Sequence, residues 1–268
     1  MKKFYEDNLT YNANQINEKI TKNKGVLSEI LVESELTISQ KSKYFLKRYG
    51  LLDEITSYFI DNLIGTRNAI AHGRKIYKNN VIWPVPPFFC LAQDSYECLP
   101  SLSILTARMI SCFVGLKCWK EEWEKERRNL LPSKDMFNNF LKEPTKFSEV
   151  TAELLCKGNP DNISWTAAFW YYTQEPKRFS IERISNAMKE LYLDTTIDKN
   201  AACLLFNISV VLCDSKDDDI SEKAKENVKL IIDNGWCPWS NHKDIYGYLE
   251  YKNVSPIWYK DYLLNRLK

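Results

Sequence analysis

The chain has 268 residues, of which 44% are hydrophobic and 13% aromatic, enough to build a sizeable core and to exclude a disordered protein. Its 8 glycines and 10 prolines are few, which excludes glycine-rich folds and favours an all-α protein. The net charge is +2; residues 1–131 carry 19 Lys and Arg against 15 Asp and Glu, which does not by itself indicate nucleic-acid binding.

Two classes of protein are disfavoured by the apolar and cysteine patterns. No segment resembles a signal peptide, and the most apolar stretch, 102–116, contains Arg108 and is too short to cross a bilayer. We therefore expect a cytoplasmic protein without membrane contact. The 8 cysteines form no C-x-x-C pair and there are only 2 histidines, so we expect no metal or cofactor and reduced thiols within helical cores.

In the first half of the chain, the apolar spacing predicts long helices separated by one irregular insertion. Gly73 takes the position of a helix C-cap. The prolines of 79–87 exclude a helix there. The charged end of the last helix, 120–128, is typical of a solvated face with i,i+4 ion pairs. The predicted helices are 6–35, 39–49, 52–72 and 101–130.

The second half of the chain is predicted to form a separate all-helical domain. A break at 131–134 and the change in pattern after it suggest an N-terminal domain of residues 1–131 and an accessory domain of residues 145–268. Ser221 is the expected N-cap of one helix, which Gly235 ends. The predicted helices are 146–157, 163–174, 180–193, 198–214, 220–234 and 255–267. Five tryptophans are expected in or near their core: Trp165, Trp170, Trp236, Trp239 and Trp258.

Only two side chains in the chain can act as an imidazole acid or base near neutral pH. His242 lies in a polar stretch and is expected at the surface. His72 follows Asn68 by four positions, so on a helix the Asn68 amide can orient the imidazole. Arg67 lies about 140° around the helix from His72. Its side chain could curl round, the last turn could tighten, or Arg67 could serve a site completed by a second subunit.

Residues 67–73, Arg-Asn-Ala-Ile-Ala-His-Gly, resemble the R-x4-H motif of the HEPN superfamily in the form common among its prokaryotic nucleases. The resemblance covers about residues 1–131 and implies a homodimeric helical bundle. Arg67 and His72 of both subunits would then cut single-stranded RNA or a tRNA loop without metal, with Asn68 orienting the site. Such proteins act as toxins or as abortive-infection effectors in antiphage defence, which implies an antitoxin or a phage trigger as a further partner. Arg74 stands where one subgroup has a tyrosine that its antitoxin modifies.

Three cations after the motif, Arg74, Lys75 and Lys78, are candidates for contacts with flanking RNA phosphates, although they would also stabilise a helix C-terminus. Two other readings stay open. The HEPN-like domain could be a non-catalytic dimerising module that binds RNA or a nucleotide. The aromatic-rich second half could make the chain a helical-repeat binding protein, although no repeated pattern is present.

Overall fold

The computed structural model describes residues 37–71, 98–239 and 241–266, and these are all-helical, with no strand. They belong to two compact units, which divide between Leu52 and Asp53. Within the described residues, no helix is long and apolar enough to cross a membrane. The predicted helix 6–35 and the predicted irregular insertion at 79–87 lie outside the described residues.

The first unit contributes one described helix, α1, Ile38–Arg48. Thr37 caps its N-terminus: the Oγ1 accepts a hydrogen bond from the Gln40 amide at 3.2 Å, and the Gln40 side chain accepts one from the Thr37 amide at 2.9 Å. At the other end, Gly50 takes a left-handed φ of +68°, which lets the Leu51 amide donate to the Leu46 carbonyl at 2.8 Å. The sequence prediction of a helix over 39–49 is confirmed.

The second unit begins with α2, Glu54–Ala71, which starts where the Thr56 amide donates to Asp53 Oδ1 at 2.7 Å. It continues with α3, Cys98–Phe113, and α4, Lys120–Arg127, which pack against each other. The predicted single helix over 101–130 is therefore wrong. Gly115 and Trp119 both adopt positive φ, +77° and +62°, and the chain turns between them. Arg108 stabilises this turn by donating from Nη1 to the Cys118 carbonyl at 3.0 Å.

A helix that the sequence did not predict, α5, follows the expected break. It spans Lys134–Lys142 and begins at Ser133, whose Oγ accepts from the Met136 amide at 3.0 Å. Phe137, Phe140 and Leu141 are buried on one face, in the i, i+3, i+4 spacing of a helix. A 3₁₀ turn, Pro144–Lys146, separates α5 from the next helix.

Together with α5, the remaining helices form the main core of the second unit. They are α6 Ala152–Lys157, α7 Trp165–Gln174, α8 Ile181–Leu193, α9 Lys199–Leu212, α10 Asp218–Asp233, α11 Asp244–Tyr251 and α12 Ile257–Arg266. Five predicted helices correspond to α7, α8, α9, α10 and α12; the predicted helix 146–157 is shorter than expected, and α11 was not predicted. Helix α9 lies centrally and packs against α7, α8 and α10.

One predicted cap is wrong. The N-cap of α10 is Asp217, whose Oδ1 accepts from the Ile220 amide at 3.2 Å, and not Ser221. The hydroxyl of Ser221 is buried within the helix and donates to the Cys213 carbonyl at 2.7 Å. Gly235 follows the helix with a φ of +65°, as its predicted role as a terminator requires.

Among the described residues, the buried side chains of the main core come from α5 and later elements, from Phe137 to Leu263. Trp165 is fully buried in it, and the other four tryptophans of the second half pack against it, as predicted. Three buried polar side chains are hydrogen-bonded within this core: the Tyr192 hydroxyl lies 2.7 Å from Ser209 Oγ and accepts from Asn227 Nδ2 at 3.0 Å. Among the described cysteines all thiols are free, but Cys213 alone is fully buried.

The division of function between residues 1–131 and 145–268 stays a prediction. On packing, α5 joins the C-terminal core, although it lies between the two expected domains. Polar contacts also cross the expected boundary: Asn162 donates to the carbonyls of Arg127 at 2.6 Å and Leu130 at 2.8 Å, and Ser133, in the break itself, donates to Glu54.

Candidate functional site

Helix α2 is anchored at its N-terminal end and exposed at its C-terminal end. Ile55, Phe59 and Ile60 near its start are each 7% exposed or less. In the last two turns, none of the side chains that the structure describes is buried. The helix therefore presents Arg67 and Asn68, two of the predicted catalytic residues, on its exposed end.

The structure joins these two residues directly. Arg67 Nη1 donates to Asn68 Oδ1 at 3.0 Å. Neighbouring residues on a helix do not normally face each other, so the long arginine side chain has folded back along the surface to reach the amide. The contact turns the guanidinium towards Asn68 and leaves the Asn68 Nδ2 as the donor that can face another group.

The other predicted site residues lie outside the described residues: His72, which is the third predicted catalytic residue, and Arg74, Lys75 and Lys78, which are the predicted RNA contacts. Helix α2 continues as far as Ala71. The helical setting that the sequence predicted for residues 67–71 is therefore confirmed, and the part of the site contributed by His72 stays a prediction.

The second histidine of the chain, His242, lies among the C-terminal helices. His242 lies in the turn before α11, where its carbonyl accepts from the Tyr259 hydroxyl at 2.6 Å. Burial, together with the charges of Arg266 and Lys243, lowers the pKa of His242. Its side chain is partly exposed in a surface turn, in agreement with the expected surface position, and its carbonyl connects this turn to α12.

Comparison with known proteins adds no relative. The chain matches no protein-family model, no curated protein and no solved structure. The HEPN resemblance accordingly depends on residues 67–73 and on the all-helical setting of Arg67 and Asn68.

The structure also contains a cavity that the sequence did not predict. The charged run 120–128 does contain the expected exposed i,i+4 pair, between Lys120 and Glu124 at 3.7 Å. Its final residue, Arg128, instead lines a cavity of about 260 Å³ with Lys157 and Asn162. Arg128 is far in sequence from Lys157 and Asn162; the one local signal was the Asn-rich turn at 159–162, which precedes the α7 cap at Ser164.

Proposed function

We propose that the protein is a metal-independent endoribonuclease of HEPN type that cuts RNA at a site shared by two copies of the chain. The observation that carries this proposal is the Arg67–Asn68 pair, hydrogen-bonded on the exposed last turns of α2 and followed in sequence by His72. A solvent-facing guanidinium with a positioned amide has no evident role in packing. It is suited to holding a phosphodiester.

The proposed reaction is an internal transesterification. A base removes the proton from the ribose 2′-hydroxyl, the 2′-oxygen forms a bond to phosphorus, and the bond from phosphorus to the 5′-oxygen breaks as that oxygen takes up a proton. The products carry a 2′,3′-cyclic phosphate and a 5′-hydroxyl. His72 is proposed for proton transfer, which contributes roughly 10²–10⁴-fold to a rate. Arg67 is proposed to balance the charge that develops on the phosphorane.

Asn68 is proposed as a positioning residue between these two groups. Its Oδ1 accepts from Arg67, so its Nδ2 is the donor available for an imidazole nitrogen. Donation to one nitrogen of a neutral imidazole would place the proton on the other nitrogen, and so would fix the tautomer and the ring orientation of His72. Arg74, Lys75 and Lys78 are proposed to bind flanking phosphates, each adding a salt-dependent increment to affinity.

A homodimer is part of the same proposal. An acid and a base are both needed, and His242 is half-buried in the turn before α11, where its carbonyl accepts from Tyr259. A two-fold axis through the site would supply a second His72. We further propose a cytoplasmic toxin or antiphage effector that acts on single-stranded RNA or a tRNA loop, is controlled by an antitoxin or phage trigger, and uses its C-terminal helices for sensing, substrate selection or assembly.

The test is cleavage of total RNA and purified tRNA by the full chain in excess EDTA. Fragments with 2′,3′-cyclic phosphate ends are expected with the wild type and not with His72→Ala. Lys125→Ala, which removes an exposed cation of α4, is the matched control and should cleave normally. Tight RNA binding by a dimer with no cleavage, and with harmless expression in cells, would favour the non-catalytic binding module instead.

A further inference from the structure

A cavity of about 260 Å³ lies between the C-terminal end of α6 and the N-terminal end of α7. Its walls include Arg128, Cys156, Lys157, Asn162, Ser164 and Thr166. The volume is slightly below the range of about 300–1,000 Å³ typical of drug-sized ligands. The size alone selects a small molecule.

The charged side chains that line the cavity favour an anionic ligand. Arg128 and Lys157 line it, and no Asp or Glu is among the described residues that do. Lys157 also contacts Glu153, but both side chains are 69% exposed, so the ammonium can leave that pair for a ligand. The N-terminus of α7, a helix of 10 residues, opens into the same space beside Ser164 and adds positive potential.

An unpaired acceptor in the wall indicates that the ligand also carries a hydrogen-bond donor. Asn162 is 2% exposed and lines the cavity. Its Nδ2 is already used, since it donates to the carbonyls of Arg127 at 2.6 Å and Leu130 at 2.8 Å. Its Oδ1, on the other branch of the amide, has no hydrogen-bond partner. A buried acceptor without a partner is costly, and a ligand hydroxyl would satisfy it.

The loop that forms this wall is held in place before any ligand binds. Asn159 clamps it by donating to the Ile163 carbonyl at 2.6 Å and accepting from the Ile163 amide at 3.1 Å. Gly158 has a φ of +95°, and a Cβ there would lie 3.1 Å from the Cβ of Arg128. The glycine thus allows Arg128 to lie directly against the loop. Such preorganisation lowers the entropic cost of binding.

We propose that this cavity binds a phosphate monoester of a sugar or nucleoside. The phosphate lies between Arg128, Lys157 and the α7 N-terminus, and a hydroxyl of the ligand donates to Asn162 Oδ1. A neighbouring cavity of about 430 Å³ shares Cys156 and Lys157 and is also lined by Asp194 and Asp198. Carboxylates accept hydrogen bonds from sugar hydroxyls, so this second space suits the remainder of the ligand.

This inference does not depend on the nuclease. The cavity residues belong to the segment that follows α4, to α6, α7 and the loop between them, and to α9, and neither Arg67 nor Asn68 lines it. Binding can therefore be measured in the His72→Ala chain, where loss of cleavage leaves the cavity unaltered.

The test is isothermal titration calorimetry on the full chain with ribose 5-phosphate and AMP as probes, and with ribose, adenosine and inorganic phosphate as controls. Binding is expected for the two monoesters and not for the unphosphorylated controls. Arg128→Ala and Lys157→Ala should each weaken binding about 10-fold or more, because each removes a charge-assisted hydrogen bond. Lys125→Ala, an exposed cation of α4 that does not line the cavity, should leave affinity unchanged.

A pair of minimal probes tests the role of Asn162. Glycerol 3-phosphate and propyl phosphate carry the same phosphate, but only the first has hydroxyl donors. Glycerol 3-phosphate is expected to bind about 10-fold more tightly, because propyl phosphate leaves the Asn162 acceptor unpaired. The proposal is overturned if neither ribose 5-phosphate nor AMP binds at millimolar concentration, if Arg128→Ala and Lys157→Ala do not weaken binding, or if inorganic phosphate binds as tightly as the monoesters.

Discussion

Arg67 donates a hydrogen bond to the side chain of Asn68, its neighbour in sequence, over 3.0 Å on the exposed end of α2. The two residues therefore form one unit, in which the amide orients the guanidinium. If α2 carries the catalytic arginine, a change at Asn68 must disturb Arg67 as well as the proposed contact of the Asn68 Nδ2 with His72.

The first prediction concerns the geometry of this pair. Arg67→Lys keeps the charge but loses the planar fork, and it is expected to lower kcat/KM for RNA cleavage about 100-fold. Asn68→Ala keeps the arginine but frees its orientation, and a loss of about 10-fold is expected. Single-turnover cleavage of a labelled RNA, with Lys125→Ala as the control, measures both. Rates within 3-fold of the wild type for Arg67→Lys would contradict a role in phosphate recognition.

Local signals explain why much of the fold was predictable. The helices α8 and α10 each combine a periodic apolar face with a local start signal, and α9, which is buried on most sides, begins at the side chain of Asp198. The turn between α3 and α4 had only one such signal, Gly115. Its second half depends on Trp119 in a left-handed conformation, which its sequence does not indicate.

The Arg67–Asn68 pair and the cavity also differ in how far the sequence predicts them. Residues 67–71 are consecutive in sequence, so the apolar spacing that predicted one helix over 52–72 was enough to place Arg67 and Asn68 on that helix. The hydrogen bond between them was not predictable, since adjacent helical residues normally diverge. The cavity was not predictable either, because Arg128 meets Lys157 and Asn162 only after the end of α4 has packed against the loop between α6 and α7.

The second prediction concerns Asp53, which begins the helix that carries the proposed site. Burial alone would raise the pKa of Asp53, but hydrogen bonds from Thr56 and Arg127, with the charge of Arg127, bring it below the ordinary 3.8. A lowered pKa in the folded state means that the carboxylate stabilises the fold above about pH 4 and that this contribution is lost as the pH falls further. Asp53→Ala should cost about 1 kcal/mol at pH 7 through loss of the cap.

Asp53→Asn separates charge from capping, since Asn is an equally good N-cap. It should lie between wild type and Asp53→Ala at pH 7, and its difference from wild type should shrink between pH 5 and pH 3. Urea unfolding at each pH measures this difference. Asp135→Asn is the control, because Asp135 pairs with Arg178 while its side chain is 87% exposed. A difference that grows as the pH falls would contradict the assigned direction of the pKa.

The third prediction concerns Asn162, which ties the loop before α7 to the end of α4. Asn162→Ala removes both hydrogen bonds to the carbonyls of Arg127 and Leu130 and should cost about 2–4 kcal/mol. Asn162→Gly removes the same bonds, but glycine accepts the φ of +55° without strain. The glycine variant should therefore be more stable than the alanine variant by roughly 0.5–1 kcal/mol.

Urea unfolding of both Asn162 variants at pH 7 tests these values. Asn129→Ala is the matched control: Asn129 lies in the same part of the chain, is exposed, and its side-chain amide makes one long hydrogen bond, to Glu126 Oε2 at 3.4 Å. It should change stability by no more than about 0.5 kcal/mol. If Asn162→Ala costs as little as the control, the loop is not held by these bonds, and the wall of the proposed ligand cavity is not preorganised.

The last prediction concerns where the C-terminal domain can be cut. Phe137, Phe140 and Leu141 of α5 are part of the main core, at 0%, 1% and 8% exposure, so a fragment of residues 145–268 lacks three buried side chains. Each such loss costs about 2–5 kcal/mol, and together they match the whole stability of a typical domain.

A fragment of residues 126–268 keeps α5 and also the carbonyls of Arg127 and Leu130 to which Asn162 donates. It should unfold cooperatively in urea by circular dichroism, whereas 145–268 should show no cooperative transition. Equal stability of the two fragments would mean that α5 is dispensable and that the expected boundary near residue 145 is the physical one.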